Sequence, residues 1–304
     1  AWLLIILAGG GFLALRNLRL GRADRRGAFR LAVFVFSLRF LWWVLGGHHV
    51  PDFYPELGLL SSTFGRSLCV AAIVWCLYIA LEPAVRRLWP NGLVGWSRLV
   101  AGRVRDPLVG HDILIGTLSG LALTTLWSQF HILLPEWLGR ESPAFPFPFP
   151  GPQFYNPLAR TLLGGRFVVA GLLSVVLAAV YATLVMWVLL LTLRIVLRKD
   201  ALVAIALVIF WTVLSWSASF SNYTWTGLVC ALAGSVLLFT TYMRFGLLAT
   251  AGGALMLFLY TVFPMTLDVS APYFGTGLVG ILAAATLAAY GAHTSLGRQR
   301  LFAG

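Results

Sequence analysis

Arg39 is the residue in this sequence that most needs a partner. It lies within the apolar run Phe34-Val35-Phe36-Ser37-Leu38-Arg39-Phe40-Leu41-Trp42-Trp43. A guanidinium deep in a membrane-spanning helix costs about 3 kcal/mol even on insertion scales. Trp42 and Trp43 follow at i+3 and i+4, where a helix brings side chains together, and an indole face attracts a cation. Two chemistries fit this spacing. Arg39, Trp42 and Trp43 form either a structural cation held by ring faces and carbonyls, or a polar site for an anion or lipid headgroup.

Other chemistry-bearing residues lead less far. His48 and His49 are adjacent, so their side chains diverge, and no third ligand is near. His131 would need the Glu-Glu pair that membrane-embedded CAAX-type proteases place on another helix, and the chain contains no Glu-Glu. Cys69, Cys76 and Cys230 sit in apolar stretches, which suits packing and not a disulfide framework or zinc. There is no Walker A sequence and no G-x-S-x-G, and Gly9-Gly10-Gly11 lies in an apolar run. No catalytic, cofactor-binding or metal-binding residue is expected, so this chain is not expected to be an enzyme by itself.

These residues are positioned by a chain that water cannot solvate. Of 304 residues, 60% are hydrophobic and 11% are charged. Soluble domains carry roughly 25% charged residues. The expected class is an all-α, polytopic integral membrane helix bundle, with lipid as solvent. Nine apolar segments are candidate spans, the first of them short, at about 1–15, 29–47, 65–81, 113–134, 167–193, 201–219, 227–243, 245–263 and 275–295.

The net charge of +12, almost all from Arg, orients the bundle. Arg16 to Arg30 fall in the first connection, Arg86 to Arg105 in the third, Arg194 to Lys199 in the fifth, Arg244 in the seventh, and Arg298 and Arg300 in the tail. Seventeen of the 22 basic residues therefore share one side. Basic loops stay in the cytoplasm, so the N-terminal end is expected outside and the tail inside. The excess is read as attraction to anionic lipid, with no nucleic-acid partner. On the outer side, alternating Pro from Pro143 to Pro152 favours an extended path that packs at the interface.

Segment 82–112 reads as a cytoplasmic loop carrying an interfacial helix. Trp89-Pro90-Asn91-Gly92 signals a turn. Leu93, Trp96, Val100 and Val104 then recur on one helical stripe, with Arg98 and Arg105 pointing away, a pattern suited to the headgroup plane. Arg86, Arg87, Trp96, Arg98, Arg103, Arg105 and Asp106 make this loop the candidate for coupling to a cytoplasmic partner. The small residues Gly246, Ala249, Ala251 to Ala254, Gly280 and Ala283 to Ala285 predict close helix packing.

The run Leu81-Glu82-Pro83, Arg86-Arg87-Leu88-Trp89-Pro90, Ser97-Arg98-Leu99, Ala101-Gly102-Arg103 and Arg105-Asp106-Pro107-Leu108-Val109-Gly110-His111-Asp112 resembles the polytopic C-terminal membrane region of a group of bacterial eukaryotic-like serine/threonine protein kinases. The stretch Arg16 to Ala28 and His48-His49-Val50-Pro51 resemble it too. The likeness covers most of residues 10–115. Beyond residue 160 it rests on hydropathy and Gly297-Arg298-Gln299-Arg300-Leu301-Phe302. The chain has no Gly-rich phosphate loop, VAIK-type Lys, HRD or DFG, so no catalytic residue carries over. The resemblance implies a single transmembrane domain over 1–304, a fragment in a bacterial inner membrane. It would anchor a kinase domain expected upstream in the same polypeptide and sense for it. The alternative is a permease or channel-like transporter of a small or anionic solute, with Arg39 at the site. A third possibility is a purely structural anchor.

Overall fold

The computed structural model describes residues 2–128, 160–217 and 225–297. Arg140, His131, the Pro143–Pro152 stretch and the tail arginines Arg298 and Arg300 lie outside the described residues. Helices account for nearly all of what is described, and no strand occurs there. In chain order they are α1 (Trp2–Arg19), α2 (Arg25–Gly46), α3 (Phe53–Leu88), a 3-10 turn (Pro90–Leu93), α4 (Val94–Val100), α5 (Pro107–Ser128), α6 (Gly165–Leu197), α7 (Asp200–Ser217), α8 (Trp225–Val262) and α9 (Phe274–Ser295). Six segments among the described residues have the length and apolar composition to cross a membrane, in α2, α3, α5, α6, α8 and α9. The chain is thus a multi-pass, membrane-embedded helical protein. Large apolar side chains on the outside of the bundle, such as Phe34, Leu68, Ile209 and Leu282, are the surface lipid requires.

Local chemistry sets the helix ends. Asp24 caps α2 by accepting from the Gly27 amide at 2.9 Å. Pro90 stops α3, which ends two residues before it at Leu88. Pro107 opens α5, and Asp106 accepts from the Leu108 amide at 3.0 Å. Residue Arg198 closes α6 in the left-handed conformation, φ 59°.

α8 contains one non-helical residue, Gly246, with φ 79° and ψ −166°. The chain reverses there. α5 touches both arms: a Cβ on Gly234, ahead of the break, would meet Leu123 Cδ1 at 3.1 Å, and beyond the break Ala249 and Gly252 lie against Gly116. In a straight helix Gly234 and Ala249 would be about 22 Å apart along the axis, with Gly234 on the side away from Leu123. The first arm pairs antiparallel with α7, where Thr212 donates to Ser235 at 3.1 Å and Val203 packs near Tyr242. The second arm packs antiparallel to α6, with Leu247 near Trp187 and Leu259 near Val175. The sequence split at 243–245 therefore falls on a real change of direction.

Glycine lets this layer close up. A Cβ on Gly120 would lie 2.6 Å from the Gly253 carbonyl oxygen, and one on Gly110 would lie 2.6 Å from Thr294 Cβ. The expected small residues of α8 do mediate close packing. Their counterparts Gly116-x-x-x-Gly120 on α5 are a small-xxx-small signal in the sequence.

Candidate functional site at the basic end of the bundle

One end of the bundle gathers the C-terminal end of α1, the start of α2, the end of α3, segment 89–106 and the turn of α8. Its construction begins with a proline. Pro83 has no N–H, so the Ile79 carbonyl one turn back has no helical donor. Asn17 from α1 fills the gap, donating from Nδ2 to Ile79 O at 2.9 Å and Ala80 O at 3.2 Å. One turn on lies Glu82, which is 1% exposed. Its Oε1 pairs with Arg86 at 2.7 Å, and its Oε2 accepts from the Asp24 amide at 3.3 Å. Buried Tyr78 closes the cluster beside Gly27, where an added Cβ would meet both the Asp24 carboxylate and, at 3.2 Å, the Tyr78 hydroxyl. Buried charges survive where each oxygen has a partner.

The sequence puts Glu82 at the start of the loop 82–112. α3 instead runs on to Leu88 and carries Glu82 inward. The signal was available: Glu82 and Arg86 stand at i and i+4 beside a proline.

Segment 89–106 is built into this end. Trp89 meets Trp187 edge to face, with centroids 6.0 Å apart. Gly92 lies directly against Gly246, where a Cβ on Gly246 would be 2.6 Å from the Gly92 Cα. Leu93 and Trp96 are 2% and 3% exposed. The helical part of the stripe is short, Val94–Val100, and its first residues turn into protein. Val104 at the far end is exposed. Gly95 admits the Asp112 carboxylate, whose Cγ would be 3.1 Å from an added Cβ. Arg30 donates to the Val100 carbonyl at 3.4 Å, and the Tyr290 hydroxyl donates to the Val104 carbonyl.

Arg98 closes the segment on itself. Its Nη1 donates to both oxygens of Asp106, at 2.7 and 2.8 Å. That contact, helped by the Leu108 amide and Arg103, holds the Asp106 carboxyl below the usual carboxylate range. Of the other residues singled out here, Arg86, Arg87, Arg103 and Arg105 stay exposed. The same end carries Arg16, Arg19, Arg25 and Arg26, all exposed. The arrangement is a rigid apolar and hydrogen-bonded seat beneath a basic surface. Among the described residues no group of three metal-ligating side chains comes together.

At the opposite end, His49 Nδ1 and Glu56 Oε1 are 2.6 Å apart, and Glu56 also accepts from the Val50 amide at 3.0 Å. Contact with Glu56 raises the His49 pKa. Trp43 packs against His49, ring centroids 4.9 Å apart. Trp42 is half-buried. Among the described residues a cation–π contact forms at Arg166 over Phe167, 4.6 Å from its centroid, and none forms at Arg39. The three cysteines are free thiols.

No protein-family model matches the chain, and no curated protein or solved structure is detectably similar to it. What its own geometry defines is the class: a multi-pass membrane protein of apolar helices with a structured basic end.

Proposed function

We propose that this chain is the membrane domain of a bacterial serine/threonine kinase, anchoring it and coupling to it through segment 89–106 at the basic end. The observation that carries this reading is Gly92 seated on the Gly246 reversal. A connection that only fixes orientation has no need of Trp96 in the core or of hydrogen bonds from α2 and α9. A connection tied to α2, α3, α5, α6, α8 and α9 feels any shift among them, and it presents that shift on a surface with Arg86, Arg87, Arg103 and Arg105.

The proposed topology has nine crossings, the two arms of α8 counting separately, with α1 beginning outside and the chain ending inside. The positive-inside rule supports it, since the basic end would face the cytoplasm and its anionic lipid. A kinase upstream of α1 then reaches the cytoplasm through a further crossing.

Two experiments test the proposal. The coding sequence ahead of Ala1 should encode a kinase domain with its Gly-rich loop, Lys and Asp motifs; an unrelated or absent domain overturns the kinase assignment. Reporter fusions after Pro90 and Lys199 should report cytoplasm and a fusion near Pro148 the exterior. A cytoplasmic Pro148 overturns the topology.

A further inference from the structure

Segment 100–105 is held from two sides through its backbone. Arg30 of α2 donates from Nη1 to the Val100 carbonyl at 3.4 Å, and the Tyr290 hydroxyl of α9 donates to the Val104 carbonyl. Gly102, with φ 86°, turns the chain between these two anchors. Arg103, Val104 and Arg105 are exposed beside them. Across the Arg30 contact, α2 carries Arg26, Phe29 and Arg30, exposed as well. Arg26 and Arg30 stand one turn apart on the same helix face, where Cβ atoms lie about 5–6 Å from each other. Two pairs of guanidinia therefore flank one backbone contact.

None of the four is neutralised. The acids of this end are spent elsewhere: Asp24 on the Gly27 amide, Glu82 on Arg86, Asp106 on Arg98 and Asp112 on His111. No ion pair reaches Arg26, Arg30, Arg103 or Arg105 among the described residues. Large apolar side chains are interleaved with these cations, Phe29 at 64% exposure and Val104 at 48%. Cations alternating with exposed apolar groups belong where lipid phosphates meet acyl chains. The face of α2 that carries Arg26 and Arg30 continues outward through Val33, Ser37, Leu41 and Val44, all exposed. That face is a track for an acyl chain leading from a cationic head. A planar guanidinium presents paired N–H donors that match a phosphate.

We propose that Arg26 and Arg30 of α2, with Arg103 and Arg105 of the segment, bind one diphosphate phospholipid of the cardiolipin class, one phosphate to each arginine pair. The inference rests on the reading of the basic end as a surface at the membrane face, and it names the partner of that surface. Two phosphates joined in one molecule engage both pairs for a single cost of association, which two separate monophosphate lipids do not. The lipid ties α2 to segment 100–105, so its presence reinforces the Arg30–Val100 contact and orders the segment.

The test uses the full chain purified in a non-ionic maltoside micelle. It is titrated with cardiolipin or with phosphatidylglycerol at matched phosphate, and retained lipid is counted by native mass spectrometry. One cardiolipin should be retained about tenfold more tightly than phosphatidylglycerol. Arg26→Gln and Arg103→Gln should each weaken that retention about tenfold, as loss of one charged hydrogen-bond partner does. Arg16→Gln removes the same charge from the same end and should leave it unchanged. All three side chains are exposed, so the substitutions leave the core intact. Hydrogen exchange from Ala101 to Arg105 should slow when cardiolipin is added to the native chain, and not in Arg103→Gln. Phosphatidylglycerol held as tightly as cardiolipin, or equal losses in Arg16→Gln and Arg26→Gln, would mean diffuse attraction to anionic lipid and overturn the site, as would no retained lipid. The measurement needs neither a kinase domain nor a known sidedness. An upstream sequence without a kinase, or a cytoplasmic Pro148, would therefore leave its result standing, and its failure would leave theirs.

Discussion

Gly92 rests on Gly246: the turn ending α3 meets the one residue at which α8 reverses. Gly246 has φ 79° and ψ −166°, a conformation essentially reserved for glycine, and a Cβ there would press on the Gly92 backbone. The reversal and the seating of segment 89–106 are therefore one structural event.

Gly246→Ala should destabilise the protein by at least about 2 kcal/mol, since it adds backbone strain to a backbone clash. Gly92→Ala meets only the rim of Trp187, 3.2 Å away, and should cost less than about 1 kcal/mol. Thermal or denaturant unfolding in micelles orders the two. Equal effects would show that the contact is looser than described.

Asn17 and Pro83 should be energetically coupled. Asn17→Ala leaves the Ile79 carbonyl unfilled, a loss of about 1–2 kcal/mol. In a Pro83→Ala background the helix supplies its own donor, so the same change should cost measurably less. A double-mutant cycle gives the coupling directly, and strict additivity would disprove the substitution of one donor for the other.

The connection 47–52 should loosen with rising pH. Contact with Glu56 raises the His49 pKa in the folded protein. A raised folded pKa gives stability that is complete below the unfolded His value of about 6.5 and is lost as pH rises through the folded pKa. Hydrogen exchange around Val50 should therefore be slower at mildly acidic pH than at alkaline pH, after correction for intrinsic exchange. His49→Gln should remove the pH dependence. A pH dependence that persists in that variant would point to another group.

Segment 93–104 should be ordered in nanodiscs, with protected amides from Leu93 to Val100. Trp96→Ala should abolish that protection and destabilise by about 3 kcal/mol. Arg98→Ala, which removes a partly exposed ion pair, should cost about 1 kcal/mol. Acid acts on the same pair with the opposite sign to His49. Arg98 depresses the Asp106 pKa, so its stabilisation is full above the unfolded Asp value of about 3.9 and fails as pH falls through the folded value. Exchange at unstructured rates at neutral pH would remove the coupling role with the helix.

By itself the sequence determined that this is an all-helical, multi-pass membrane protein, and which connections are rich in arginine. Hydropathy and Arg spacing are local properties, and lipid enforces helices because every backbone group must be satisfied within its own segment. The split between 243 and 245 was legible for that reason, as were the turn at Trp89 to Gly92 and the small residues of α8. Only the tertiary structure decided what the polar residues face. Glu82 looked like loop because Pro83 reads as a terminator, but Asn17, 62 residues from Ile79, supplies the missing donor and lets α3 continue. The stripe beginning at Leu93 and Trp96 announced an apolar face without saying whether lipid or protein covers it. That depends on Gly246, some 150 residues away. Arg39 announced a need for a partner, and neither Trp42 nor Trp43 is one. Its Nε is buried without a hydrogen-bond partner, because what surrounds it is fixed by helix pairing and not by any spacing along the chain.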